Sequence, residues 1–157
     1  MDMLGSGPRL VIVCGLPGAG KTTLAKEMER DLRAVRLCPD EWMEELGIDL
    51  WDEDRRTKIE AFQWKLGQRL LELGQTIIIE WGTWGRSERE ALRIGAKALG
   101  AAVELHYVWA PVDVLFERVQ RRGIEDPPIR LEQVRQWADA FEVPGSEEMA
   151  LYDKPQK

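Results

Sequence analysis

Four runs of apolar, β-branched or aromatic residues punctuate the chain: Leu10 to Cys14, Ala34 to Cys38, Thr76 to Glu80 and Val103 to Trp109. Between them lie stretches with helical periodicity. Short apolar runs alternating with amphipathic helices predict an α/β fold, a mainly parallel sheet with helices on both faces. From Lys21, the positions Leu24, Ala25, Met28 and Leu32 recur at helical spacing. A second helix is expected to bury Ile59, Phe62, Leu66, Leu70 and Leu73 and to stop at Gly74. The next is expected to start at Ser87, where Ser87 and Glu90 have capping-box spacing, and to end near Gly100. Pro111 then opens a helix with the stripe Val112, Leu115, Phe116 and Val119, ending at Gly123. After a loop at Glu125-Asp126-Pro127-Pro128, a last helix carries Leu131, Val134, Ala138 and Phe141, and Val143-Pro144-Gly145 breaks it. The tail from Ser146 is expected to hold a short strand or to be partly disordered.

Length and charge narrow this picture. With 157 residues, one domain over 1–157 is the simplest expectation, large enough to bury roughly two thirds of its unfolded surface. The balance of 22 basic against 28 acidic residues, net −6, argues against nucleic acid and anionic membrane as partners of the whole chain. Residues 1–8 read as a flexible tail with no targeting pattern, and no apolar stretch reaches transmembrane length. A soluble, cytoplasmic protein is expected. Cys14 and Cys38 belong to no metal-binding or disulfide pattern and read as buried thiols. His106, the one histidine, reads as a packed or edge residue inside a strand.

The segment directly after the first strand changes the question from fold to chemistry. Gly15-Leu16-Pro17-Gly18-Ala19-Gly20-Lys21-Thr22-Thr23 fits the phosphate-loop pattern G-x-x-x-x-G-K-[ST]. Glycines let backbone N–H groups turn toward phosphate, the lysine reaches the terminal phosphates, and the Thr22 hydroxyl is placed for Mg²⁺. The helix from Lys21 adds the partial positive charge of its N-terminus. Gly15, Pro17, Gly18, Ala19, Gly20, Lys21, Thr22 and Thr23 are thus the candidate contacts to ATP. A glycine-rich surface turn is the plain alternative, and the strand before and helix after the segment argue against it.

In open α/β sheets ligands bind beyond the carboxyl ends of the strands. After the second strand stands Asp40, a candidate catalytic base for an acceptor hydroxyl and equally a helix cap. Glu80 closes the third strand, where a carboxylate can hold Mg²⁺ through water or bind a substrate hydroxyl. Trp42 and Trp84, with Trp81, can wall an acceptor pocket or simply belong to the core. Arg118, Arg121 and Arg122 share a helix face beside the proline loop and either close over the triphosphate or form a solvated face. Arg118 and Arg122 are the first choices. Arg55, Arg56, Arg86 and Arg89 are weaker candidates, for contacts to an anionic acceptor or as ordinary surface charge.

Taken with PDEW at 39–42, IIIEWGTWGRSERE at 77–90, LFERVQRR at 115–122 and WADAFEVP at 137–144, the phosphate loop resembles the small P-loop kinases. The likeness is to the group with zeta-toxin-like, chloramphenicol-phosphotransferase-like and polynucleotide-kinase-like members. That resemblance implies a sheet ordered 2-3-1-4-5 and a lid, here about 118–130, that closes over the γ-phosphate. It places Lys21 and Thr22 on phosphates and Mg²⁺, Asp40 on the acceptor hydroxyl, and the arginines of 118–122 in the lid. Glu80 departs from the aspartate frequent in the group, and its longer reach leaves open whether it meets metal or substrate.

The function expected is an ATP- and Mg²⁺-dependent kinase acting on a hydroxyl of a small organic acceptor. Alternatives are a nucleotide-dependent switch or binding module with slow hydrolysis, or a kinase of nucleic-acid 5′-hydroxyls. The acceptor, the choice of ATP or GTP and the oligomeric state are not encoded in any motif.

Overall fold

A computed structural model describes residues 7–155; of the tail expected at 1–8, residues 1–6 lie outside these. The strands are β1 Arg9–Cys14, β2 Val35–Leu37, β3 Thr76–Gly82 and β4 Ala102–Tyr107. The helices are α1 Lys21–Leu32, α2 Pro39–Glu45, α3 Glu53–Glu72, α4 Arg86–Ala98, α5 Val112–Arg122, α6 Leu131–Ala140 and α7 Ser146–Met149. All strand pairs are parallel and the order is β2-β3-β1-β4. In β1 the alternation of side chains divides the core. Val11 and Val13 pack toward Leu24, Ala25 and Met28 of α1, whereas Leu10, Ile12 and Cys14 join Leu71 of α3 and Leu92 and Ala96 of α4. A third cluster holds α5 to α6 through Leu115, Val119, Ile129 and Val134.

Three sequence expectations are corrected. Among the described residues there is no fifth strand. Pro144 offers no N–H for a ladder, and the chain after it turns into α7, with buried Glu148 bound to Arg89. The segment after α7 still reaches the sheet: Asp153 donates its N–H to Val103 O at 2.7 Å and accepts the Val103 N–H at 2.8 Å. The second correction concerns α3, which buries Ile59, Gln63, Gly67 and Leu71 instead of the more apolar face. A Cβ on Gly67 would stand 2.8 Å from Ile77 Cδ1, so the small residue lets the helix lie close on the sheet. Gln63 is fully buried because its amide oxygen accepts the Trp81 indole N–H at 2.8 Å. Third, α4 begins at Arg86, before Ser87, because Glu88 accepts the Gly85 N–H and Glu142 the Arg86 N–H, each at 3.1 Å.

Cys14 and Cys38 are buried free thiols, and burial pushes both up to about 11. His106 lies on edge strand β4 with Nε2 2.8 Å from Glu104 Oε1. No helix among the described residues is long and apolar enough to cross a membrane.

Candidate active site

The loop from Gly15 to Gly20 connects β1 to α1, and its shape depends on glycine. Gly15 has φ 153°, and a Cβ there would approach Val108 O to 2.5 Å; Gly18 has φ 85°, and a Cβ would meet Leu115 O at 2.8 Å. Only a residue without a side chain fits against those carbonyls. Gly20 is the left-handed N-cap of α1 and supplies no capping side chain, and the first turn contains no acidic residue. The first-turn N–H groups are therefore free to meet an anion. Lys21 Nζ donates to Gly15 O at 2.8 Å and Leu16 O at 3.0 Å, folded back over the loop. Burial lowers its pKa, with Glu80 and Asp40 pulling the other way.

Beyond this loop opens a cavity of about 700 Å³, lined at one end by Pro17, Gly18, Gly20 to Thr23, Glu80, Arg118, Arg122 and Glu125. Glu80, 6% exposed, is held between Arg36, whose Nη1 donates to Oε1 at 2.9 Å, and the Thr22 hydroxyl, which donates to Oε2. Arg36 also binds Glu41, so β2 and the first turn of α2 are tied to the end of β3. A hydroxyl and a carboxylate oxygen in contact beside the phosphate loop are a donor set suited to Mg²⁺. Arg118 Nη1 donates to Gly18 O at 3.0 Å and Ala19 O at 3.3 Å, while Arg122 binds Glu125 at 3.0 Å. Arg121 pairs with Glu117 on the exposed side of α5.

Asp40, Glu53, Arg56, Glu60 and Glu88 line the rest of the cavity with Trp51, Trp81, Trp84 and Trp137. Asp40 sits in the first turn of α2, but the N-cap is Cys38, and the carboxylate binds Arg56 Nη1 through Oδ1 at 2.5 Å. The capping alternative for Asp40 is thus replaced by an ion pair. Arg56 also donates to Leu50 O at 2.9 Å. Burial, reinforced by Glu88, Glu53 and Asp40 against the opposing Arg56, pushes the Glu60 carboxyl up to about 7. Trp84 meets Trp137 in a tilted contact at 6.0 Å between ring centroids, and Trp137 meets Trp51 in another at 6.4 Å. Trp42 is not among the cavity residues; it packs against the main core beneath the sheet.

Arg89 fixes the wall between β3 and α4. It is fully buried, binds Glu148 at 2.7 and 3.0 Å, and donates to the carbonyls of Thr83 at 2.8 Å, Trp84 at 3.2 Å and Glu142 at 2.7 Å. It thereby holds Thr83, whose φ of 44° is unusual for a β-branched residue. Arg55 and Arg86 pair with local carboxylates at the surface. The sequence reading therefore finds the loop, Asp40, Glu80, Trp84, Arg118 and Arg122 together in one cavity, and misses Arg36, Glu60, Trp51 and Trp137. The signal available for Trp51 was only its place in a polar connection, and Glu60 was hidden one position beside Ile59 on a helix.

A family model described as an AAA domain matches residues 10–144. No curated protein sequence matches the chain. Among solved structures, Kti12 of Chaetomium thermophilum in complex with ADP-AlF3 superposes with a TM-score of 0.68 at 19% identity, over 88% of this chain and 82% of that one. A gluconokinase from Sinorhizobium meliloti gives 0.62 at 20%, over 89% and 78%. The Pnkp1/Rnl/Hen1 RNA repair complex contains a chain that gives 0.67 at 20%, over 97% of this chain and 48% of that one. These likenesses agree with the parallel three-layer fold, and with the family match covering most of its length the chain belongs to the AAA domain family, within the P-loop NTPase superfamily.

Proposed function

We infer that the chain is an ATP- and Mg²⁺-dependent phosphotransferase that moves a γ-phosphoryl group to a hydroxyl of a small organic acceptor. The observation that carries this reading is that one cavity joins the phosphate loop to Asp40. In this reading 1–157 is a single domain, and the stretch 118–130 is its lid. The kinds of proteins that share the fold, a gluconokinase and a Kti12 with ADP-AlF3 among them, support a phosphotransferase with adenine nucleotide. The narrower likeness to the zeta-toxin group rests on the sequence motifs.

Lys21 and the N–H groups from Gly18 to Thr23 would take the phosphates, and Thr22 with Glu80 would hold Mg²⁺. Bound there, the ion would offset phosphate charge. The acceptor oxygen forms a bond to the γ-phosphorus as the bond to the bridging oxygen breaks, and ADP leaves with that electron pair. Asp40 takes the acceptor O–H proton, and Arg56 keeps its carboxylate in place. Arg118 and Arg122, turning from Gly18, Ala19 and Glu125, would neutralise charge on the equatorial oxygens. Trp81 and Trp84 supply an apolar wall that excludes water.

Asp40, Glu53 and Glu88 against the cation Arg56, with the partly protonated Glu60 beside them, make this end unsuited to a phosphodiester backbone. A neutral or cationic small acceptor fits better than a nucleic-acid 5′ end. The test is transfer from labelled ATP to a panel of small alcohols, sugars and 5′-hydroxyl oligonucleotides. Asp40→Asn should lower turnover with the accepted compound by roughly 100-fold or more while nucleotide binding persists. Unaltered turnover removes Asp40 from the mechanism. Nucleotide binding without turnover on any acceptor would favour the switch reading.

A further inference from the structure

At the acceptor end of the cavity the carboxylates are not equally provided for. Asp40 is taken by Arg56 at 2.5 Å, and Glu88 accepts the Gly85 N–H at 3.1 Å. Glu53 is exposed in the first turn of α3, where the helix N-terminus favours its charge. Glu60 has none of these. It stands half-buried in the interior of α3, lines the cavity, and among the described residues makes no hydrogen bond or ion pair. Arg56, one turn away, is already committed to Asp40 and to Leu50 O. A half-buried carboxylate facing a cavity calls for a group of opposite charge.

The walls suit a cation with apolar bulk. Trp81 is pinned beside Glu60, because its indole N–H donates at 2.8 Å to Gln63, one turn further along the same face of α3. Trp84, Trp137 and Trp51 continue the wall as tilted rings with centroids 6.0 and 6.4 Å apart, and the Trp51 N–H is held by Pro127 O at 2.9 Å. All four indoles are partly exposed to the cavity. Aromatic faces attract ammonium groups, and the carboxylates add a negative field. Thr83, 3% exposed on the same wall, has a hydroxyl with no oxygen or nitrogen partner among the described residues, which leaves it available to a ligand. We propose that the acceptor is a small alcohol carrying an ammonium group, with the nitrogen between Glu60 and the indole faces and the hydroxyl at Asp40. Arg56 stands between the two carboxylates, so a short chain can span them. This rests on the phosphotransfer reading for the role of Asp40. In the reaction the hydroxyl proton goes to Asp40, the oxygen bonds to the γ-phosphorus, and ADP leaves with the bridging electron pair. The ammonium group is a handle and passes unchanged into the product.

Choline and neohexanol, its uncharged carbon isostere, separate charge from shape, and the charge of choline does not change with pH. Each is titrated by tryptophan fluorescence with Mg²⁺ and a non-hydrolysable ATP analogue bound, then offered labelled ATP. Choline should bind about tenfold tighter than neohexanol at about pH 8. Glu60, facing Arg56 and Glu53 of its own helix, Asp40 of α2 and Glu88 of α4, titrates at about 7. It is mostly protonated at about pH 6, so the advantage should shrink there by roughly fivefold. Glu60→Gln should abolish the advantage at both pH values without weakening neohexanol. Equal affinities, a preference for neohexanol, or an advantage that survives Glu60→Gln overturns the proposal. Transfer to neutral alcohols alone would overturn it and keep the phosphotransfer reading. Selective binding of choline with no transfer to it, to ethanolamine or to amino sugars would keep the cation site and count against phosphotransfer.

Discussion

The two ends of the cavity are built on different principles. At the phosphate end, shape comes from the backbone: Gly15 and Gly18 adopt conformations closed to other residues, and the donors are N–H groups at the start of α1. At the other end, shape comes from side chains belonging to α2, α3, β3, α4 and α6, held by ion pairs such as Asp40 with Arg56 and by the Arg89 cluster. A backbone site tolerates little change within a short segment. A side-chain site can be altered one residue at a time.

The largest effect is expected from the anchor of the side-chain end. Arg89→Met removes one partner of a buried ion pair and should destabilise the fold by about 3–5 kcal/mol, measured by urea unfolding. A loss under about 1 kcal/mol would mean that the Trp84 wall stands without it. Lys21→Ala should come next, weakening nucleotide binding by about 2–5 kcal/mol in calorimetry without changing the affinity for an accepted alcohol. Equal losses at both ends would erase the division. The smallest effect concerns Glu60. Its folded carboxyl titrates at about 7, above its ordinary 4.5. The folded state therefore holds a proton that the unfolded state has released, and stability falls as pH rises from 4.5 to 7. Glu60→Gln should flatten that slope and raise Tm at pH 8 by about 2–4 °C, the equivalent of about 1 kcal/mol after solvent screening. A slope that persists in the variant would place the titrating group elsewhere.

The same contrast explains what the sequence disclosed. The phosphate loop was legible because nine consecutive residues carry its geometry, and strands β1 and β3 followed from runs of Ile, Val and Leu buried on both faces, while the partly exposed β2 and β4 followed from their place between helical patterns. Asp40 and Glu80 were legible because strand ends are few. The interior roles of Arg36 and Arg89 were not: Glu80 and Glu148, which they bind, lie 44 and 59 residues away, and nothing in local spacing distinguishes an interior arginine from the surface charge that Arg89 was expected to be. The orientation of α3 was misread because two apolar stripes compete on it. Gly67, which decides the matter through its close approach to Ile77, looks in sequence like a weakness in the helix.

Strand β4 ends the sheet on one side, and its Val103 is met on both main-chain groups by Asp153. Lys97 of α4 holds the same carboxylate at 2.6 Å. An unprotected parallel edge rich in apolar residues is a template on which extended segments of other molecules can add. One aspartate at this position blunts that hazard without the length of a further strand, and its loss would be felt less in the melting temperature than in the tendency of the folded chain to stick to itself.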